Sequence, residues 1–154
     1  MKRLFLFMLC AAIALGGCAR PDREASVPPA RTGAWLLEAR LETRSPDFPL
    51  LGNREVEVVY SVTNRGRAAE RLQFPTDQRI ELSLRSPDGA TLFLWSEDRL
   101  FADTPSVVLI NPGERLEYRV TVPTRDMVAG HQYTAEAGLV GHEGTAASLV
   151  LHPR

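Results

Sequence analysis

Few side chains in this 154-residue sequence are of types and spacings that do chemistry. The histidines, His131, His142 and His152, lack metal-ligand spacing and no cysteine accompanies them, so no metal site is expected. Gly141-His142-Glu143-Gly144 reads more simply as a hairpin turn. Ser, His and Asp all occur, but the nucleophile pattern Gly-x-Ser-x-Gly does not. Asp88 and Asp98 fall in turns or loops with no identifiable partner. A hydrolase would therefore need an arrangement that spacing does not reveal, and the chain is read as no enzyme. No glycine-rich phosphate loop occurs, and no cofactor is expected. A net charge of −1 argues against a nucleic-acid binder. Arginines alternate with acids, as in Arg115-Leu116-Glu117-Tyr118-Arg119, which reads as solvated cross-strand pairing. Two thiols remain, Cys10 and Cys18.

Cys18 has the more informative setting. Lys2 and Arg3 precede an apolar run from Leu4 to Leu15, and the small pair Gly16-Gly17 follows. A basic start, an apolar core and small residues before a cut make a secretory signal. The uncharged stretch, Leu4 to Gly17, falls short of the roughly 20 residues of a membrane-spanning helix. Leu15-Gly16-Gly17-Cys18 resembles the lipobox of bacterial lipoproteins. That resemblance implies a lipid, palmitate among its acyl chains, joined to the Cys18 thiol, with the peptide cut just before it. Ala19, rather than Asp, implies sorting to the outer membrane, facing the periplasm. Two or more acyl chains hold a protein stably on a membrane. Residues 1–17 are thus expected to be a lipoprotein signal peptide. Losing them removes Lys2 and Arg3 and takes the formal charge from −1 to −3. With Cys10 gone and Cys18 acylated, no thiol is left for a disulfide, and the fold must hold by its core.

The elements that follow are strands. Residues 18–33 read as a lipidated Cys18 and a flexible tether, since Pro21, Pro28 and Pro29 stand among Arg, Asp, Glu and Ser without apolar periodicity. From Ala34 the period is two. Trp35, Leu37, Ala39 and Leu41 alternate with polar or outward positions. So do Val56 to Val62, Ile80 to Leu84, and Leu116 to Val122. Ser86-Pro87-Asp88-Gly89 suits a type I turn joining Ile80–Arg85 to Thr91–Trp95 as a hairpin. Asn111-Pro112-Gly113-Glu114 suits a type II turn joining Val107–Ile110 to Arg115–Val122. Tyr133–Leu139 and Ala146–Leu151 are two further strands, and one helical turn is expected near Thr124–Val128. Residues 34–154 are expected to be all-β, an immunoglobulin-like antiparallel β-sandwich of seven to eight strands.

A group of segments adds a resemblance. Tyr60-Ser61-Val62-Thr63-Asn64 is followed by Leu72-Gln73-Phe74-Pro75, Gln78 and Ser86-Pro87-Asp88-Gly89. Then come Leu94-Trp95-Ser96-Glu97-Asp98-Arg99-Leu100-Phe101, Asn111-Pro112-Gly113-Glu114 and Gly130-His131-Gln132-Tyr133. Over roughly Glu55 to Leu139 this order is similar to the BsuPI-type intracellular proteinase inhibitor domain. Its most specific part is Trp-Ser-x-x-x-x-Phe, with the Gln-containing strand entry upstream. The sequence departs from the pattern at Thr76-Asp77, where members often carry Ser-Gly, and at Ile80-Glu81, where they often have an aromatic and an Asp. The resemblance implies a β-sandwich that binds a protein, in the named case an intracellular serine protease. An export signal does not fit that compartment.

Two roles follow for Ser96, Glu97, Asp98, Arg99, Leu100 and Phe101. The loop turns a corner while Trp95 and Phe101 pack into the sandwich, or it is a recognition surface. A rigid-loop inhibitor gains affinity from preorganisation and a buried anchor side chain. Arg99, Leu100 and Phe101 are all of anchor type, and nothing in the sequence selects among them. The expected function is non-enzymatic: a membrane-anchored protein-binding lipoprotein, restraining an envelope serine protease. The alternative is a structural or adaptor envelope lipoprotein without inhibitory activity.

Overall fold

The structure is a computed structural model and describes residues 36–154. The expected signal segment, Cys18, the tether, and the start of the domain at Ala34 and Trp35 lie outside the described residues. The described chain is all-β. Its strands are β1 (Leu37–Thr43), β2 (Asp47–Phe48), β3 (Glu55–Asn64), β4 (Glu70–Phe74), β5 (Ile80–Arg85), β6 (Thr91–Leu94), β7 (Ser106–Ile110), β8 (Arg115–Pro123), β9 (Tyr133–Leu139) and β10 (Ala147–Pro153). Eight of these ten match the expected strands. The other two are β2, too short to show a period, and β4, whose Leu72 and Phe74 alternate with Arg71 and Gln73. In place of the expected helical turn, Thr124–Val128 holds a non-helical turn closed by the Met127 amide on the Thr124 carbonyl at 3.0 Å.

Two sheets pack as a sandwich. One is ordered β1-β3-β8 and the other β2-β10-β9-β5-β6, while β4 and β7 form a separate ribbon. All pairings are antiparallel except β2 with β10. Val58, Tyr60 and Val62 of β3 and Val122 of β8 share one buried cluster with Leu82, Leu84, Ala135 and Leu151 of the facing sheet. The outer face of β3 and β8 carries Glu57, Glu117, Arg115 and Arg119: Arg119 pairs across strands with Glu57 as expected, whereas Glu117 pairs along its own strand with Arg115 and Arg119. These pairs are solvent-exposed and each contributes little to stability.

Buried polar groups tie the layers. The Tyr60 hydroxyl crosses the sandwich and donates to the Thr145 carbonyl at 2.6 Å. Thr145 is itself buried; its Oγ1 accepts from the Leu139 amide and donates to the His142 carbonyl, which closes the β9–β10 turn. Asn64, with 0% of its surface exposed, ends β3. Its Nδ2 donates to the carbonyls of Ala68 at 2.8 Å and Ile110 at 2.9 Å, and its Oδ1 accepts from the Gly66 amide at 2.8 Å. Its backbone pairs with Glu114 and Gly113 in the β7–β8 turn. One side chain thus fixes the β3–β4 loop, the end of β7 and the turn into β8. The surroundings are cut to fit: a Cβ on Gly66 would stand 3.0 Å from the Asn64 Oδ1 and 3.2 Å from Leu36.

The turns carry the expected chemistry. Glu114 closes on Asn111 at 2.9 Å, and Gly113 takes the positive φ, 79°, of the third turn position. This turn does not close a hairpin, since β7 pairs with β4 and β8 with β3. It hands the chain from the ribbon to the sheet. The Ser86–Gly89 turn does close a hairpin, between β5 and β6.

Removing a buried donor strands its acceptors, at about 1–3 kcal/mol for each group left unpaired. Asn64→Ala is therefore expected to lower the melting temperature more than Tyr60→Phe, whose cost of about 1 kcal/mol amounts to about 4 °C in a domain of this size. Thermal unfolding of the two variants checks the order. Burial raises the Tyr60 and Tyr118 hydroxyls above the ordinary tyrosine range. A raised value keeps stability intact below the unfolded tyrosine pKa and loses it above. Alkaline unfolding should thus begin above about pH 10 and coincide with tyrosinate absorbance in a pH titration.

Candidate binding loop

The chain crosses twice between the β4–β7 ribbon and the β5–β6 hairpin. Residues 75–79 carry it from β4 to β5, and residues 95–105 carry it back from β6 to β7. The Asp77 amide donates to the Ala102 carbonyl at 3.2 Å and links the crossings. The candidate loop is the second of these. Its entry is fixed by the Trp95 amide on the Leu82 carbonyl at 2.8 Å, and two short turns follow, Glu97 on Leu94 and Arg99 on Ser96.

A carboxylate and an indole hold this loop. Glu81 projects from β5, where its Oε1 accepts from the amides of Leu82 at 3.1 Å and Ser96 at 3.2 Å. Its Oε2 accepts from the Gln78 side chain at 3.1 Å, and Gln78 also donates to the Ile80 carbonyl. Charge-assisted bonds of this kind are stronger than neutral ones. Above it, the Arg99 guanidinium lies 4.4 Å from the Trp95 ring centre and its Nε donates to the Trp95 carbonyl at 3.0 Å. Phe101 packs on the same indole with ring centres 5.6 Å apart. Arg99 and Phe101 both fold back on Trp95, so the residue between them points away: Leu100 is as exposed as in a free peptide, at 102%.

Residues 75–79 are braced as well. Arg79 sits over the Phe74 ring at 4.7 Å and donates to the Thr76 carbonyl. The His142 ring meets the Phe74 ring edge-on at 5.1 Å, and its Nε2 pairs with the Gln73 carbonyl at 2.9 Å. His142 thereby fastens the β9–β10 turn to β4.

Of the six candidate residues, Ser96 and Phe101 are half-buried and structural, while Glu97, Asp98, Arg99 and Leu100 are exposed. Trp95 packs against the core as expected, whereas Phe101 packs on Trp95. The sequence did not mark Glu81 as the residue that ties down Ser96, nor the Asp77–Ala102 link, because these partners lie 15 or more residues apart. Asp88 belongs to its own turn, where the Ser86 hydroxyl donates to it and holds its carboxyl below the usual range. Among the described residues no group of three or more His, Cys, Asp or Glu is placed to hold a metal ion. Nor is any helix there long and apolar enough to cross a membrane.

The arrangement is that of a β-sandwich domain offering a braced loop. The family described as BsuPI, intracellular proteinase inhibitor, matches residues 43–144, about two thirds of the chain. The chain belongs to this family. The match extends beyond the Glu55–Leu139 resemblance read from the sequence and leaves out most of β1 and all of β10. No protein of curated function matches the chain. Among solved structures, it is similar to the sporulation control protein Spo0M from Bacillus subtilis, at 16% identity and a TM-score of 0.47, over 77% of this chain and 49% of that one. It is also similar to a β-glucosidase from Erythrobacter marinus, at 15% identity and a TM-score of 0.45, over 77% of this chain and 15% of that one. The chain therefore spans about half of the first protein and a small part of the second.

If Trp95 is the clamp, Trp95→Ala is expected to cost about 2 kcal/mol, less than a fully buried Trp, and to release the loop. Hydrogen exchange should then speed at least about tenfold at the amides of Asp77 and Arg99. Glu81→Ala is expected to free the Ser96 amide while leaving Arg99 protected. Unchanged protection in both variants would refute the bracing.

Proposed function

We propose that this protein is a non-enzymatic, membrane-anchored binding protein whose 95–105 loop grips a partner, and that this partner is a serine protease of the cell envelope. One observation carries the reading: in a chain of a proteinase-inhibitor family, residues 99 and 101 are both clamped to Trp95 while Leu100 is presented to solvent. Such a loop loses little conformational entropy on binding, which is where rigid-loop recognition gains its affinity. Glu81 and Gln78 beside the loop are engaged in bracing it. We read the connectivity as immunoglobulin-like, a reading supported by the chain's initial edge being shared between the sheets, β1 in one and β2 in the other.

The site of action in this reading follows from the leader. Residues 1–17 direct export, Cys18 takes the lipid, and the sandwich hangs on its tether from the outer membrane into the periplasm. Export also favours the adaptor reading, because the family is described for an intracellular inhibitor.

Two measurements test this. Cells fed radiolabelled palmitate are expected to label the full chain and to lose the label in Cys18→Ser. The full chain, purified in detergent, is expected to inhibit at least one serine protease stoichiometrically. A labelled, folded protein that inhibits none at large molar excess would leave the adaptor function standing in its place.

A further inference from the structure

The braced loop presents three side chains of anchor type, and the structure discriminates among them. Arg99 is committed, by its stacking on Trp95 and its bond to the Trp95 carbonyl. Phe101 is committed to the other contact with the same indole. Leu100 touches neither, is flanked on both sides by clamped residues, and is fully exposed. Exposed leucines are common singly and need no explanation by themselves. Here the neighbours make the difference, because their clamping fixes the direction in which Leu100 projects. Three carboxylates, Glu97, Asp98 and Asp103, stand exposed within three residues of it. An apolar tip in an acidic surround suits an apolar pocket with a basic rim.

We propose that Leu100 is the anchor of this loop, and that the partner is a serine protease with an apolar, leucine-sized specificity pocket rimmed by basic groups. This rests on the inhibitor reading and adds the class of protease to it. An arginine-accepting protease, whose pocket is acidic, is thereby disfavoured twice, by the apolar side chain and by the carboxylates around it. The acidic rim also makes association salt-dependent, since rim charges act on the encounter rate.

Leu51, at 95% exposure, supplies the control. Its loop bonds to the C-terminal Arg154 through Leu50. That end of β10 lies with Tyr133 and, through β9, with Arg85, whereas the loop bonds through Ala102 to Asp77, which precedes the opposite, Ile80 end of β5. A leucine at the far end of the sandwich should not matter.

The test is inhibition of chymotrypsin, subtilisin and trypsin by the full chain in detergent, with each variant shown to be folded by circular dichroism. The chain is expected to inhibit an apolar-pocket protease and to spare trypsin. Leu100→Asp should weaken that inhibition about 10- to 100-fold, the range of a truncated hot-spot residue. Leu100→Arg should move the preference toward trypsin, Leu51→Asp should change nothing, and added salt should slow association. Inhibition that persists unchanged in Leu100→Asp overturns the anchor assignment and leaves the inhibitor reading intact. Inhibition of trypsin alone overturns the pocket class. Absence of inhibition throughout overturns the anchor and the reading it rests on together.

Discussion

The ribbon that leads into the loop is fastened at its far end by Asn64. A fully buried amide has four hydrogen-bonding positions to satisfy, and here three go to the Ala68, Ile110 and Gly66 backbone. Those contacts fix one end of the β4–β7 ribbon against the end of β3. The ribbon's other end, Phe74 opposite Ser106, opens into the two crossings that make the site. A displacement of Ile110 would be carried along β7 to the loop feeding it, because paired strands move as a unit. The ribbon belongs to neither sheet, and it is held by the packing of Leu72, Phe74 and Ile110 into the core and not by strand neighbours. The buried amide and the Phe74–His142 contact at the other end add polar and aromatic restraint to that packing.

The loop itself is held by different means. No cysteine lies among the described residues, so its shape rests on non-covalent contacts alone. One carboxylate gathers two amides and a glutamine, and one indole gathers a guanidinium and a phenyl ring. These are half-buried interactions, each modest in water. Their effect lies in convergence: the contacts meet on residues 95, 96, 99 and 101, and leave the backbone between them few alternatives. A cluster of this kind rigidifies more than the sum of its pairs when each member orients the next.

Most of the fold was legible because period-two alternation and turn chemistry are local. The strands around Val58, Leu82 and Val120 announce their buried faces, and Gly113 and Gly89 announce their turns. What was not legible depends on distance in sequence. The β4 strand is short, and its pairing with β7 in a separate ribbon follows from Asn64 meeting Ile110, 46 positions apart. The same holds at the site. Trp95, Ser96 and Phe101 stand out as a pattern, but Glu81, which departs from the family's pattern, takes the backbone amide of residue 96, and only the structure shows that. The amide of residue 96 finds this acceptor only because β5 lies beside β6.

The same geometry explains why the choice of anchor needed the structure. By side-chain type alone, Arg99 and Phe101 are better hot-spot residues than Leu100, since Arg and large aromatics dominate such positions. Each is nevertheless satisfied within the chain, and using either for a partner would first require breaking its packing on Trp95. That cost would offset the affinity the partner supplies and would also release the loop, so preorganisation and those two anchors exclude each other. Leu100 is free of the conflict: burying it removes apolar area from water while the clamp beneath stays closed. In the proposed reading, the residues that hold the loop's shape are separate from the one residue left free to meet a partner. A substitution at position 100 would leave the contacts that hold the loop unchanged, because Leu100 takes part in none of them.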